Sequence, residues 1–264
     1  MQDYNDTSFK SVTPEVTSCF PDVRFVFARK RLYDVGCRNL GIKLAKGEFL
    51  FFIDDDNVLS KNTIDVLVNT FMQLDRVGFC GPVTYYLSSP KTIWSSGAYL
   101  GKWSGRYMSA KVPSDKNIYE VESIPNAYMT RMKVIKDIGV FNINFPLQET
   151  EHEIQTRARK KGYMVVINKD AKVFHDFPPG GLVSRLDPDR IYFIWRNRLW
   201  LEKTHNPQRY FSMKFFLPIY YAYYLSLISK KKGSLRHKYN LVKQLTKGIV
   251  HGLLWHPVAV DLSV

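Results

Sequence analysis

Residues 48–57 read Glu-Phe-Leu-Phe-Phe-Ile-Asp-Asp-Asp-Asn, an apolar run that ends on three consecutive acids. Such a run, bounded by charge, reads as a strand buried on both faces. In an open α/β sheet, ligands sit beyond the carboxyl ends of strands, so Asp54, Asp55 and Asp56 stand where a ligand is expected. If strand geometry continued through them, Asp54 and Asp56 would point the same way, about 7 Å apart. At an effective dielectric of about 20 their repulsion would be about 2 kcal/mol. A divalent cation would remove that penalty and bridge to phosphate oxygens. The plainer alternative is a solvated turn in which one aspartate caps the next helix.

Working outward, short apolar runs alternate with amphipathic stretches up to about residue 200, which predicts an α/β layered unit. Strands are expected at residues 24–28, 48–53, 77–86, 92–99, 163–167 and 172–175. Helices are expected at residues 35–46, 61–74 (capped by Ser60), 132–138 and 150–161. Residues 201–264 turn aromatic and basic, carrying ten Lys/Arg against Glu202 and Asp261, or +8 of the chain's +14. The chain is therefore read as one unit over residues 1–200 and a helical tail over 201–264.

At 264 residues, 45% hydrophobic and 14% aromatic, the chain can bury a sizeable core. Disorder, collagen-like repeats and small disulfide scaffolds are excluded. The charge points to an anionic partner, either a phosphate ligand, an anionic membrane or nucleic acid. No nucleic-acid-binding module is recognised, so nucleic acid is not an expected partner. Cys19, Cys37 and Cys80 are scattered without a CxxC pair, which favours a reducing compartment and argues against zinc. The polar start, residues 1–8, does not read as a signal peptide.

Glu149, Glu151 and Glu153 open a helix that ends on Arg157, Arg159, Lys160 and Lys161. Acids first and bases last suit the helix dipole, and Glu149 and Glu153 share a face with Arg157. Glu151 instead shares the inward face of Ile154 and Ala158, where a carboxylate suits a general base facing a cleft. His175 closes a strand-like run and reads either as a hydrogen-bonded rim residue or as a ligand. Arg38, early in a helix, suits a phosphate, a base edge or the surface. Trp94 and Trp103 stand in a Gly/Ser-rich run and read as sugar-stacking surfaces or as core.

Residues 215–229 are free of charge between Lys214 and Lys230. As a helix they would span about 22 Å, short of a bilayer's hydrocarbon core. Their Phe and Tyr content favours a helix lying in the membrane interface. The alternatives are a helix packed on the preceding unit and a true span.

Four stretches in order resemble the family 2 glycosyltransferases of GT-A fold over residues 3–200. GCRNLGIKLAKGEFLFFIDDDN resembles the family's Arg-Asn helix, turn, strand and DxD acids. IPNAYMTRMKVIKDIGVF looks like its acceptor-side strand and helix. ETEHEIQTRARKKGYMVVINKDAKVFHD is similar to the acidic helix that leads to a terminal histidine. YFIWRNRLWLEK and the aromatic basic tail resemble the membrane-associated, rhamnosyltransferase-like branch. The resemblance implies a doubly wound mixed α/β sheet flanked by helices, with C-terminal amphipathic helices. The implied activity is hexosyltransferase-type, an inverting transfer from a nucleoside diphosphate sugar that depends on Mg²⁺ or Mn²⁺. In it, Asp54 and Asp56 bind metal with His175, while Asp3, Arg38, Asp54 and Asp55 contact the nucleotide. Glu151 is the catalytic acid's counterpart, with Thr150 where a Glu usually precedes it, and Trp94, Trp103 and Glu153 face the acceptor. That acceptor is a glycan or a lipid-linked glycan, at the cytoplasmic side of an anionic membrane.

Against the family pattern, Asp3 at the chain's start matches a turn that normally follows about forty residues. The expectation is an N-terminally truncated fold whose natural start lies upstream, or a non-catalytic remnant that docks on a membrane or a partner enzyme. Specificity is expected in the loops at residues 91–117 and 177–189.

Overall fold

The computed structural model describes residues 18–26, 28, 31–176 and 186–254. Asp3 and most of the loop at residues 177–189 lie outside the described residues. The elements begin with α1 (Tyr33–Leu44), β1 (Phe49–Ile53), β2 (Asn57–Leu59) and α2 (Thr63–Gln73). Then come β3 (Val77–Tyr86), β4 (Ser89–Ser95), β5 (Ala98–Leu100), β6 (Tyr107–Ser109), β7 (Ile118–Glu120) and β8 (Ala127–Arg131). The chain continues through α3 (Met132–Ile138), α4 (Thr150–Lys160), β9 (Met164–His175), α5 (Pro188–His205), α6 (Pro207–Lys230) and α7 (Leu235–Leu254).

The main sheet runs β1-β8-β3-β9-β2, with β4 on β3 and β7 on β9. β3 and β9 pair in parallel while the other pairs are antiparallel, which makes the sheet mixed. Both faces are covered, as the near-continuous apolar strands require. Side chains alternate between layers: Phe79, Tyr128, Val165 and Ile167 pack with α3 and α4 residues, whereas Cys80, Met129 and Val166 pack with Leu67 and Phe71 of α2.

The strand expectations are revised in three places. Residues 163–167 and 172–175 belong to the single strand β9, whose register jumps beside Pro82 and Val83 of β3. Pro82 has no N–H for the ladder, and a bulge accommodates that without ending the strand. Residues 92–99 split instead, because Gly97 adopts φ +81 with Val121 packed where a Cβ would stand. The described residues at 24–26 and 28 carry no strand.

The tail helices are capped as their sequence dictates. Asp187 and Asn206 accept hydrogen bonds from the N–H groups of Arg190 and Arg209, and each is followed by proline at the first helical position. Met213, Tyr224 and Ile228 of α6 pack with Trp195 of α5 and with Leu241 and Leu245 of α7. The charge-free segment is therefore part of a longer helix whose inner face is covered by protein. Its outer face leaves Phe211, Phe215, Ile219 and Tyr223 exposed. Among the described residues, no helix is long and apolar enough to cross a membrane. The apolar cluster of the tail begins at Leu186, so the boundary expected at residue 200 falls inside α5.

α7 approaches α5 closely at Gly248, where an added Cβ would lie 2.3 Å from the Tyr192 carbonyl oxygen. Gly248→Ala should lower the urea midpoint by the equivalent of about 1–3 kcal/mol. Gly41→Ala, with nothing within 4 Å of the new methyl, should raise stability by about 0.5–1 kcal/mol.

Candidate active site

β1 ends at Ile53, and residues 54–56 form a turn rather than continuing the strand. The Asp54 N–H donates to Asn126 O at 3.2 Å, and the Asp176 N–H donates to Asp56 O at 2.8 Å. Asn57 Nδ2 donates to Asp54 O and to Asp56 Oδ1, and Asn126 Nδ2 donates to Asn57 Oδ1 at 2.6 Å. These bonds give the two acids separate partners. Asp54 Oδ1 accepts from Arg38 Nη2 at 3.1 Å, whereas Asp56 Oδ2 lies 3.0 Å from His175 Nε2. The shared direction expected for Asp54 and Asp56 is thus replaced by two neighbouring subsites. Asp55 is exposed at the tip of the turn.

Arg38 holds the first subsite together. Its Nη2 also donates to Glu151 Oε1 at 3.0 Å, its Nε pairs with Asp34, and its Nη1 donates to the Tyr128 hydroxyl. The Thr150 hydroxyl lies 2.8 Å from Asp34 Oδ2 and 2.7 Å from Glu151 Oε2. The inward-facing acid of α4 therefore meets the acid at the end of β1 across one guanidinium. Burial pushes the Asp54 carboxyl up to about 7; Arg38 opposes that, while Glu151, Asp34 and Asp56 add to it. Burial opposes the charge of Arg38, but Tyr128 and the acids outweigh it and hold the guanidinium charged.

The turn before α4 is strained and clamped. Gln148 and Glu149 are consecutive non-glycine residues with φ +63 and +61. Each costs about 1–3 kcal/mol and persists only where its surroundings fix it. Here Asn197 Nδ2 donates to Leu147 O and Gln148 O at 2.6 and 3.0 Å, and Arg198 Nη2 pairs with Glu149 Oε1 at 2.6 Å. Tyr107 donates to Glu149 Oε2 at 2.6 Å and its ring lies under Arg198. Glu149 thus pairs with Arg198 of α5 and not with Arg157.

The other expected residues fall in different places. His175 is buried, with Trp94 edge-on against its ring, so Trp94 supports the second subsite from β4. Trp103 is 60% exposed in the turn between β5 and β6. Glu153, expected toward the acceptor, is only 2% exposed and forms a two-point ion pair with Arg157 at 2.9 Å. Arg157 in turn binds the carbonyls of Ile138, the last residue of α3, and of Val140 beyond it. Asp34, Asn57, Asn126, Tyr128, Asn197 and Arg198 were not anticipated. Asp34 and Arg38 at i, i+4, and the polar Arg196–Arg198 run inside an apolar helix, were the available signals.

A family model described as glycosyl transferase family 2 matches residues 4–139. The chain belongs to that family. No curated protein matches significantly. Among solved structures, GalNAc-T7 with UDP, GalNAc and Mn²⁺ is similar with a TM-score of 0.62 and 15% identity, covering 96% of this chain and 50% of the other. The mannosyltransferase PcManGT from Pyrobaculum calidifontis, in complex with GDP-Man and Mn²⁺, gives a TM-score of 0.53 at 13% identity, covering 95% and 76%. S. aureus TarS 1–349 in complex with UDP-GlcNAc gives 0.50 at 15%, covering 94% and 69%. At these identities the likeness is one of fold, the GT-A arrangement, and this chain spans about half the length of GalNAc-T7.

Among the described residues of this family 2 member, no group of three or more His, Cys, Asp and Glu side chains is arranged to hold a metal. Asp56 and His175 nevertheless offer one carboxylate and one imidazole side by side. That donor pair would suit a divalent cation of the Mg²⁺ or Mn²⁺ kind.

Glu153 provides a test of structure against chemistry. Burial would raise its carboxyl, but hydrogen bonds from His205 and Arg157 outweigh burial and hold it below its ordinary value of 4.5. A depressed folded value means stabilisation that is present above the unfolded pKa and lost on acidification. Glu153→Gln should therefore cost about 2–4 kcal/mol near neutrality, with the difference from wild type shrinking below about pH 4.5. Denaturant titrations across pH would show it.

Proposed function

We propose that the chain transfers a sugar, with inversion, from a nucleoside diphosphate donor to an acceptor hydroxyl. The observation that carries this reading is the Arg38 bridge between Asp54 and Glu151, which sets a donor-side acid and an acceptor-side acid on one cleft. Asp56 and His175 would hold Mg²⁺ or Mn²⁺, which supplies positive charge opposite the departing diphosphate when bound. Asp54 and Asp55, at the same turn, face the nucleotide.

Glu151 takes the acceptor's proton as the hydroxyl oxygen attacks the anomeric carbon. The new C–O bond forms on the face opposite the breaking bond, and the diphosphate leaves with the bonding electron pair. Each Glu151 oxygen has two lone pairs, so the contacts from Arg38 and Thr150 orient the carboxylate and leave it capacity to accept. Asp34 completes the frame by holding both Arg38 and Thr150. Glu153, enclosed with Arg157, anchors α4 and does not reach the acceptor in this scheme.

The acceptor is a glycan or a lipid-linked glycan presented at an anionic membrane surface, on the cytoplasmic side. Support comes from the basic tail and the exposed Phe211, Phe215, Ile219 and Tyr223 on α6. In this reading the chain groups with the membrane-associated, rhamnosyltransferase-like members, with residues 1–200 carrying the chemistry and the tail framing it.

Glu151→Gln should lower sugar transfer from a panel of nucleoside diphosphate sugars by about 10²–10⁴-fold. Donor affinity should hardly change. Turnover close to wild type would contradict the role assigned to Glu151. Absence of transfer by wild type with every donor would favour a docking remnant.

A further inference from the structure

Resting on the acceptor side of that reading, we propose that a cavity beside the site binds the apolar chain of an amphiphilic acceptor with an anionic head. The cavity, about 450 Å³, opens between the β5–β6 turn and helices α5 and α6. That volume falls within the range of small-molecule pockets. Ile194, Trp195, Met213, Ile219 and Tyr223 line its apolar walls.

The cavity ends against side chains that hold the helix carrying Glu151. Tyr107 and Arg198 line its polar end, and both hold Glu149, the residue that caps the helix carrying Glu151 in its first turn. The facing turn is fixed on α6: Ser212 Oγ donates to Trp103 O at 2.6 Å, and Tyr220 donates to Ser104 O at 3.2 Å. Gly105 adopts φ +63 with the Met213 sulfur packed where a Cβ would stand. The pocket is thus built from mutually restrained parts.

Its chemistry selects against a bare sugar. Three of its polar side chains are already engaged within the protein: Arg198 on Glu149 and Gly105 O, Tyr107 on Glu149, and Tyr220 on Ser104 O. Against the apolar side chains of Ile194, Met213 and Ile219 a saccharide would lose hydration without regaining hydrogen bonds, whereas a hydrocarbon chain gains from burial. Ile219 and Tyr223 belong at once to the lining and to the exposed stripe of α6 that starts at Phe211 and recurs every fourth residue. An apolar chain can therefore pass from a membrane surface into the cavity along one continuous apolar track. Cations flank that track: Arg106 is exposed in the lining, Lys102 stands over Trp103, and Lys214 lies over Phe211. They suit a phosphate-bearing head.

The test is calorimetric titration of the full chain with monomeric farnesyl phosphate, without donor. Saturable binding is expected, weakened about tenfold or more by Ile219→Trp, which fills the mouth, and retained by Ile219→Leu. Leu235→Ser, exposed at the start of α7 and away from both the cavity and the stripe, should leave it unchanged, and neither inorganic phosphate nor maltose should compete. Equal affinity in wild type and Ile219→Trp, or displacement by maltose, would overturn the proposal. Because donor, Asp56 and Glu151 take no part, this result can fail while the transferase reading stands, and the reverse.

Discussion

One buried guanidinium sets the geometry of the site. Arg38 stands where α1, β1, β8 and α4 converge, and it engages Asp34, Asp54, Glu151 and Tyr128 at once. At an effective dielectric of about 20, two carboxylates 4 Å apart repel by about 4 kcal/mol, so three could not gather here without a cation between them. Arginine is suited to this because its planar fork presents several donors in fixed directions; a lysine would offer a point charge on a flexible stem. The end of β1 and the first turn of α4 are thereby fixed relative to each other before any substrate arrives. Such pre-organisation is what transfer chemistry requires of its scaffold.

A second constraint comes from farther along the chain. The left-handed residues Gln148 and Glu149 aim α4 into the cleft, and their strain is held by Asn197 and Arg198 of α5. The helical C-terminal part is therefore structurally continuous with the site. Its inner face stabilises the loop that presents Glu151, and its outer face stays apolar and exposed.

Much of this was legible in the residues. The five-residue apolar run into Asp54, the β3 strand, α3 and α4, and the inward placement of Glu151 all follow from periodicity and charge, which are local properties. What escaped depends on contacts between distant segments. Asp56 and Asp54 part company because Asn126 and Asp176, distant in sequence, fix the turn between them. The identity of β9 as one strand hinges on a bulge opposite Pro82, and no pattern within residues 163–175 signals it. Glu153 pairs with Arg157 as their i, i+4 spacing suggested, but His205 at the end of α5 also closes on it, which the local sequence does not show. Trp94, which read either as a sugar-stacking surface or as core, packs edge-on against His175.

In the proposed function, the seat for a nucleoside diphosphate depends on a cation held by Asp56 and His175. Calorimetry with UDP, GDP and dTDP, in Mn²⁺ and again with a chelator, tests it most directly. At least one nucleotide should bind in Mn²⁺, chelation should abolish the heat, and Asp56→Asn should weaken binding by about tenfold or more. Equal binding with and without the cation, and with Asp56 replaced, would contradict it.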